Sequence, residues 1–326
     1  MNRLAHVFVA VGFATMSASF ADAAPRLIVL NKADGNMAVV DPAALKLIGK
    51  VPTGDGPHEA AITADGKFAV VANYGAMKPG NSLSVIDIDT LKEKERVDLG
   101  AFTRPHGIQL VKDKIYFTSE TTRSVARFDP ATSKIDWLMG TGASASHMVV
   151  VSPDGRKLYT SNIASNNVTA IRLDGPANAQ GIAQIAVGPQ PEAIDISPDG
   201  REVWVGHNGD GGVSIIDSAT NSVSATLKVG SLPIRLKFSP DGKWVFVSDP
   251  RGGEGEVIAI DTVKREVVSR IKISGVPLGL QFSADGKTVY VSRTQAGRVD
   301  AIDVAKREVV GSVETGNGPD GLAWRN

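Results

Sequence analysis

The sequence predicts an all-β chain folded as a seven-bladed β-propeller of four-stranded antiparallel blades. Three observations carry this. One segment recurs seven times at a mean step of roughly 44 residues, the period of four-stranded blades. Each recurrence consists of short β-branched runs between turn residues, with no sustained helical period. The two ends of the chain are fragments that together complete one repeat.

The elements follow in order along 326 residues. Asn2-Arg3, the mostly apolar run from Leu4 to Met16 and the small-x-small site Ala21-Asp22-Ala23 predict a signal peptide over 1–23. The run is short for a membrane span, and no later stretch reaches that length. The expectation is an exported chain, periplasmic or secreted, with one propeller domain over 24–326. The absence of cysteine fits an oxidising compartment and excludes disulfides, thiolate ligands and a thiol nucleophile. With 35 basic and 35 acidic side chains, bulk electrostatics gives no reason to expect nucleic-acid binding.

The recurring segments are GPHEAAITADGKFAVVAN, RPHGIQLVKDKIYFTSE, ASHMVVVSPDGRKLYTSN, QPEAIDISPDGREVWVGH, LPIRLKFSPDGKWVFVSD, VPLGLQFSADGKTVYVSR and a final GPDGLAWRN. Each opens with an apolar strand, turns at an Asp-Gly, and returns along an alternating strand. A VSIID-type strand and a VSATLKVG-type strand complete the repeat. The second recurrence turns at Lys112-Asp113-Lys114 without glycine, which predicts a tighter or distorted hairpin. The aspartates that end the third strands, Asp41, Asp87, Asp129, Asp217, Asp261 and Asp303, suit turn capping. The four tryptophans suit packing between blades. Residues 26–54 supply strands two to four of a blade, and 318–326 supply its strand one. Pairing them closes the ring and removes its free edges.

These repeats resemble the YVTN-type seven-bladed β-propellers, most closely in FSPDGKWVFVSD and FSADGKTVYVSR. The first repeat is also similar to a lactonase repeat. The resemblance covers the mature chain and implies the fold. For function it implies several outcomes: exported proteins without a known role, copper enzymes with histidine ligands on the propeller, or lactonases.

In a propeller the first strand of each blade lines the central channel. Its start and the end of strand two share one face, the mouth. The starts give His58, His106, His147, Glu192, Ile234, Leu278 and Asp320 in ring order, so Asp320 neighbours His58. The ends of strand two give Asn73, Glu120, Asn162, His207, Asp249, Arg293 and Asn31. Three imidazoles flanked by carboxylates suit a divalent transition metal such as zinc, copper or iron. The expected ligand set is His58, His106 and His147 with Glu192 or Asp320 at the ends of the arc. Glu120 and Glu59 are candidates for a general base or an orienting partner. Arg235, beside Ile234 and Leu278, is a candidate for holding an organic anion. His207 is expected to be a strand-end residue or a substrate contact.

Two other functional classes remain open on the sequence. One is a non-catalytic binding or scaffold propeller that takes a partner protein at its mouth; the other is a lactonase-like hydrolase. A monomer is expected in each case.

Overall fold

A computed structural model of the chain describes residues 24–175, 181–250 and 254–326; the expected signal peptide lies outside them. Seven four-stranded antiparallel sheets form the blades. In six of them the four strands follow one another along the chain, at 57–98, 105–140, 146–186, 191–228, 235–274 and 277–314, here blades 1 to 6. Blade 7 pairs the strand Pro319–Arg325 with Arg26–Asn31, as the fragments at the two ends predict. Among the described residues no helix is long and apolar enough to cross a membrane.

Second strands such as Phe68–Asn73 are buried on both faces, because neighbouring blades cover both sides. Fourth strands such as Lys134–Gly140 alternate between exposed and part-buried, as expected of the outer rim. The core is therefore shared between blades. Trp204, Val213 and Ile215 of blade 4 pack on Leu236, Phe238 and Val245 of blade 5.

The Ser-Pro-Asp-Gly turns, and the Ser-Ala-Asp-Gly turn at 283–286, are held by their own side chains. The Ser152, Ser197, Ser239 and Ser283 hydroxyls donate to Asp154, Asp199, Asp241 and Asp285 at 2.6–2.7 Å. The glycine that follows is left-handed, as Gly155 is at φ 72°. Blade 2 lacks this device. Its first hairpin closes in two residues, with Val111 opposite Lys114 and Lys112 left-handed at φ 55°. The strand-three aspartates cap turns as expected; Asp217 accepts from the amides of Ala219 and Thr220.

Close packing at the ring centre requires glycine. A Cβ on Gly321 would stand 2.0 Å from the His58 carbonyl oxygen, and one on Gly279 2.1 Å from that of Asp320. Gly321→Ala is expected to destabilise the fold by about 1–3 kcal/mol through this overpacking. A urea melt checks it: a midpoint equal to wild type would mean that the ring gives way there at no cost.

Candidate functional site

Each first strand begins with a bulge that aims its side chain. In blades 1, 2, 3, 4, 6 and 7 the pairing of strand one with strand two slips by one residue just after the proline position. Bulges at rims commonly redirect a side chain in this way. The residues in or beside the slip include His58, His106, His147, Glu192, Leu278 and Asp320. Two positions before each of them the backbone is left-handed, at Gly56, Arg104, Ala145, Gln190, Val276 and Gly318.

The arc read from the sequence is continuous in space. His58 Nε2 and His106 Nε2 are 3.1 Å apart. The rings of His106 and His147 lie with centroids 3.6 Å apart, tilted by 34°. His58 Nδ1 faces Asp320 Oδ2 at 3.4 Å. His147 Nδ1 hydrogen-bonds Glu120, while its Nε2 lies 3.5 Å from Glu192. His106, Glu120 and His147 each bring a ligand-type atom within 4.8 Å of the others. Asp320 and Glu192 stand at opposite ends of the arc, beside different histidines.

The electrostatics follow from burial. His58 and His106 are held well below the usual imidazole value, first by burial and then by nearby cationic groups. Burial also pulls His147 down, but Glu120 and Glu192 outweigh it and raise its pKa. Burial pushes Asp320 up to about 6 despite Arg235 and Lys32. Several buried atoms here have no hydrogen-bond partner, among them His58 Nδ1, His106 Nδ1, His147 Nε2 and Asp320 Oδ1.

Three expectations need correction. First, Glu120 does not end strand two. The two-residue hairpin shortens blade 2, so Ser119 holds that register opposite Pro105 and Glu120 lies one residue beyond. Second, the strand-two ends turn into the blades, not into the mouth. The Asn73 amide binds Ser82 and Ser84; Asn162 binds Ser146, Asn167 and Thr169. His207 is fully buried, with its Nδ1 3.3 Å from Asp210. Third, Arg235 does not present a free guanidinium. It is buried and donates to Glu59 at 3.0 Å and to Glu192 at 3.2 Å. Glu59 is thereby held as its partner.

Apart from Glu120, one ring of residues was missed. The position just past strand two holds Lys32, Tyr74, Glu120 and Asn208, and all four reach the arc. Tyr74 Oη donates to Glu120 Oε2 at 2.7 Å, and its ring lies 5.3 Å from the centroids of both His58 and His106. The Asn208 amide donates to Glu192. Lys32 Nζ lies 3.8 Å from Asp320. A recurrent backbone bond fixes this ring. The amides of residues 32, 74, 120 and 208 donate to the carbonyls of Gly318, Gly56, Arg104 and Gln190, the left-handed residues. Counting one residue past each strand end would have found them.

Below the arc, Arg235 and Glu59 form one end of a 320 Å³ channel cavity, lined further down by Ala60, Val149, Ile194 and Leu280. In the same repeat phase as Glu59 and Arg235, positions 107, 193, 279 and 321 hold glycine or alanine and position 148 holds methionine, so small residues dominate around that ion pair.

Comparison with known proteins agrees with the fold. A signature described as YNCE-like beta-propeller matches residues 4–178, and one described as Cytochrome D1 heme domain matches 205–322. Antigen Lp49 of Leptospira interrogans is 23% identical over 223 residues, covering 59% of this chain and 48% of its own. The chain thus spans about half the length of that curated relative. The periplasmic gluconolactonase PpgL of Pseudomonas aeruginosa superimposes with a TM-score of 0.74 at 19% identity, over 93% of this chain and 99% of its own. Hydrazine synthase of Kuenenia stuttgartiensis gives 0.69 at 20% identity, over 82% and 88%. At such identities the two structures speak for fold alone.

Proposed function

The chain belongs to the YNCE-like β-propeller family, and we propose that its mouth binds one divalent transition metal through His58, His106 and His147. The carrying observation is the 3.1 Å separation of the His58 and His106 Nε2 atoms. Two nitrogens bonded to one ion at about 2.0–2.1 Å stand about 2.9–3.4 Å apart at ordinary coordination angles. Burial keeps these two imidazoles neutral, the form that ligates.

Asp320 and Glu120 serve best as orienting partners. Each lies at the Nδ1 of a histidine, in the carboxylate–histidine pattern that fixes ring orientation around a metal. Glu192 sits at His147 Nε2 and is the carboxylate placed to complete the ligand set. Arg235, itself paired with Glu59, holds Glu192 at the boundary between the mouth and the channel below; neither Arg235 nor Glu59 is assigned a catalytic step. Tyr74 covers the histidine pair from the solvent side. A divalent ion here supplies Lewis-acid chemistry and, if copper or iron, redox chemistry as well.

The Cytochrome D1 signature raises a haem reading as well, for which the histidines of the mouth, outside the matched stretch, are the available imidazole ligands. The matched stretch 205–322 itself contains one histidine, the fully buried His207. Export to the periplasm rests on the N-terminal pattern and accords with the periplasmic location in the name of PpgL.

Elemental analysis of the purified mature protein tests the proposal. About one equivalent of zinc, copper or iron is expected, either as isolated or after reconstitution. Its absence in both preparations would make the histidines a relic of blade duplication. Opening of a sugar lactone after exhaustive chelation would instead favour a metal-independent lactonase.

A further inference from the structure

We propose that the seam of the ring, on the face opposite the mouth, holds a second ligand site, a pocket that takes a sugar ring against Tyr290 and Trp324. The site stands apart from the metal reading. Along most of that face the turns of neighbouring blades pack on each other. A Cβ on Gly200, Gly242 or Gly286 would stand 3.1–3.4 Å from Pro153, Pro198 or Pro240 of the preceding blade. Blade 7 has no such turn, because its first two strands come from opposite ends of the chain. Its neighbour, blade 6, carries Ala284 in place of the proline. A 570 Å³ cavity opens there, bounded by Ala284, Asp285 and Tyr290 of blade 6 and by Arg26, Asp41 and Trp324 of blade 7.

One hydroxyl in this wall lacks a partner. Tyr159 and Tyr290 both stand third in strand two of their blades. Tyr159 Oη donates to the next blade, to the Ser218 carbonyl at 3.3 Å and to Asn221 Oδ1 at 3.2 Å. The matching turn of blade 7 carries Leu45 where blade 4 carries Asn221, both left-handed. Leucine offers no acceptor. Tyr290 is only 4% exposed and lines the pocket, and its hydroxyl has no hydrogen-bond partner among the described residues. Burial, then Asp285 and Asp41, push its pKa up to about 12, so the phenol keeps its proton and can donate.

The lining selects a neutral polyol. The Tyr290 and Trp324 rings lie 5.9 Å apart at 21°, an aromatic wall for the C–H face of a ring. Asp41 spends one oxygen on the amides of Ala43 and Ala44, and Asp285 one on Ser283 and Lys287. The other oxygen of Asp41 has no partner among the described residues, and that of Asp285 has only Lys287, at 3.7 Å. A sugar hydroxyl both donates and accepts, so neighbouring hydroxyls can serve the phenol and the carboxylates together. Two aspartates against Arg26 and Lys287 leave no net charge, which favours neither an ammonium nor a carboxylate.

NMR titration of the tryptophan indole N–H signals tests this, with D-glucose, D-galactose, maltose and choline added in turn to isotope-labelled mature protein. Of the four indole signals, the one lost in Trp324→Phe is expected to shift with at least one sugar and not with choline. Tyr290→Phe keeps the ring and should weaken that binding about five- to ten-fold. It should also melt at or above wild type, because the hydroxyl it removes has no partner; a melt at that level shows that the loss is not unfolding. No shift of the Trp324 signal with any sugar, a larger shift with choline, or sugar binding unchanged in Tyr290→Phe overturns the site.

Discussion

Arg235→Ala is expected to lower stability by about 3–5 kcal/mol, the cost of leaving buried charge without its partner. For a chain of this length that lowers the melting temperature by roughly 5–10 °C. Arg235 is buried, and its guanidinium lies between two part-buried carboxylates from blades 1 and 4. Removing it leaves Glu59 and Glu192 facing each other across the channel. Coulomb attraction to Glu59, Asp320 and Glu192 raises the arginine pKa against the effect of burial, so the cation stays charged over the accessible pH range. The double variant Arg235→Met with Glu59→Gln should be less damaged than the sum of the two single changes, because the pair acts as a unit. Thermal melts of the single and double variants decide it. An Arg235→Ala protein within about 0.5 kcal/mol of wild type would show that water already screens the cluster.

His106→Ala is expected to lose the metal outright while the propeller survives. His106 is the middle imidazole, 4.0 Å from the His58 ring and 3.6 Å from that of His147 by centroids. Removing an orienting partner of a ligand typically costs about 10–100-fold in affinity, and loss of a ligand should exceed that. Asp320→Asn is the matching control, expected to weaken binding without abolishing it. The metal-free His106→Ala protein should melt near metal-free wild type. The alanine leaves a cavity but also removes a buried Nδ1 that has no partner. Metal should raise the melting temperature of wild type and not of the variant. Full metal occupancy in His106→Ala would remove the tris-histidine site.

Much of this was legible in the chain. The repeat phase gave the blades, the split closing blade and the order Asp320, His58, His106, His147, Glu192 around the mouth. It could do so because a propeller repeats one local geometry. Equal positions in the repeat become neighbours in space whatever their side chains are.

The site was legible only in part. The inference went astray at Glu120, where a two-residue hairpin shifts the register, and at the strand-two ends, which turn inward. Lys32, Tyr74 and Asn208 went unread because they lie one residue past those ends. Their position depends on a backbone bond to the left-handed residue that precedes the first strand of the same blade.

The sequence by itself determined the architecture and the ring order, since periodic local pairing fixes both. Only the tertiary structure decided which charges meet. Glu59 and Arg235 are 176 residues apart in sequence, yet they close on each other across the channel. No repeat phase foretells that pairing. It depends on which of seven converging side chains are small enough to leave space at the axis, and on buried opposite charges finding each other there rather than in water.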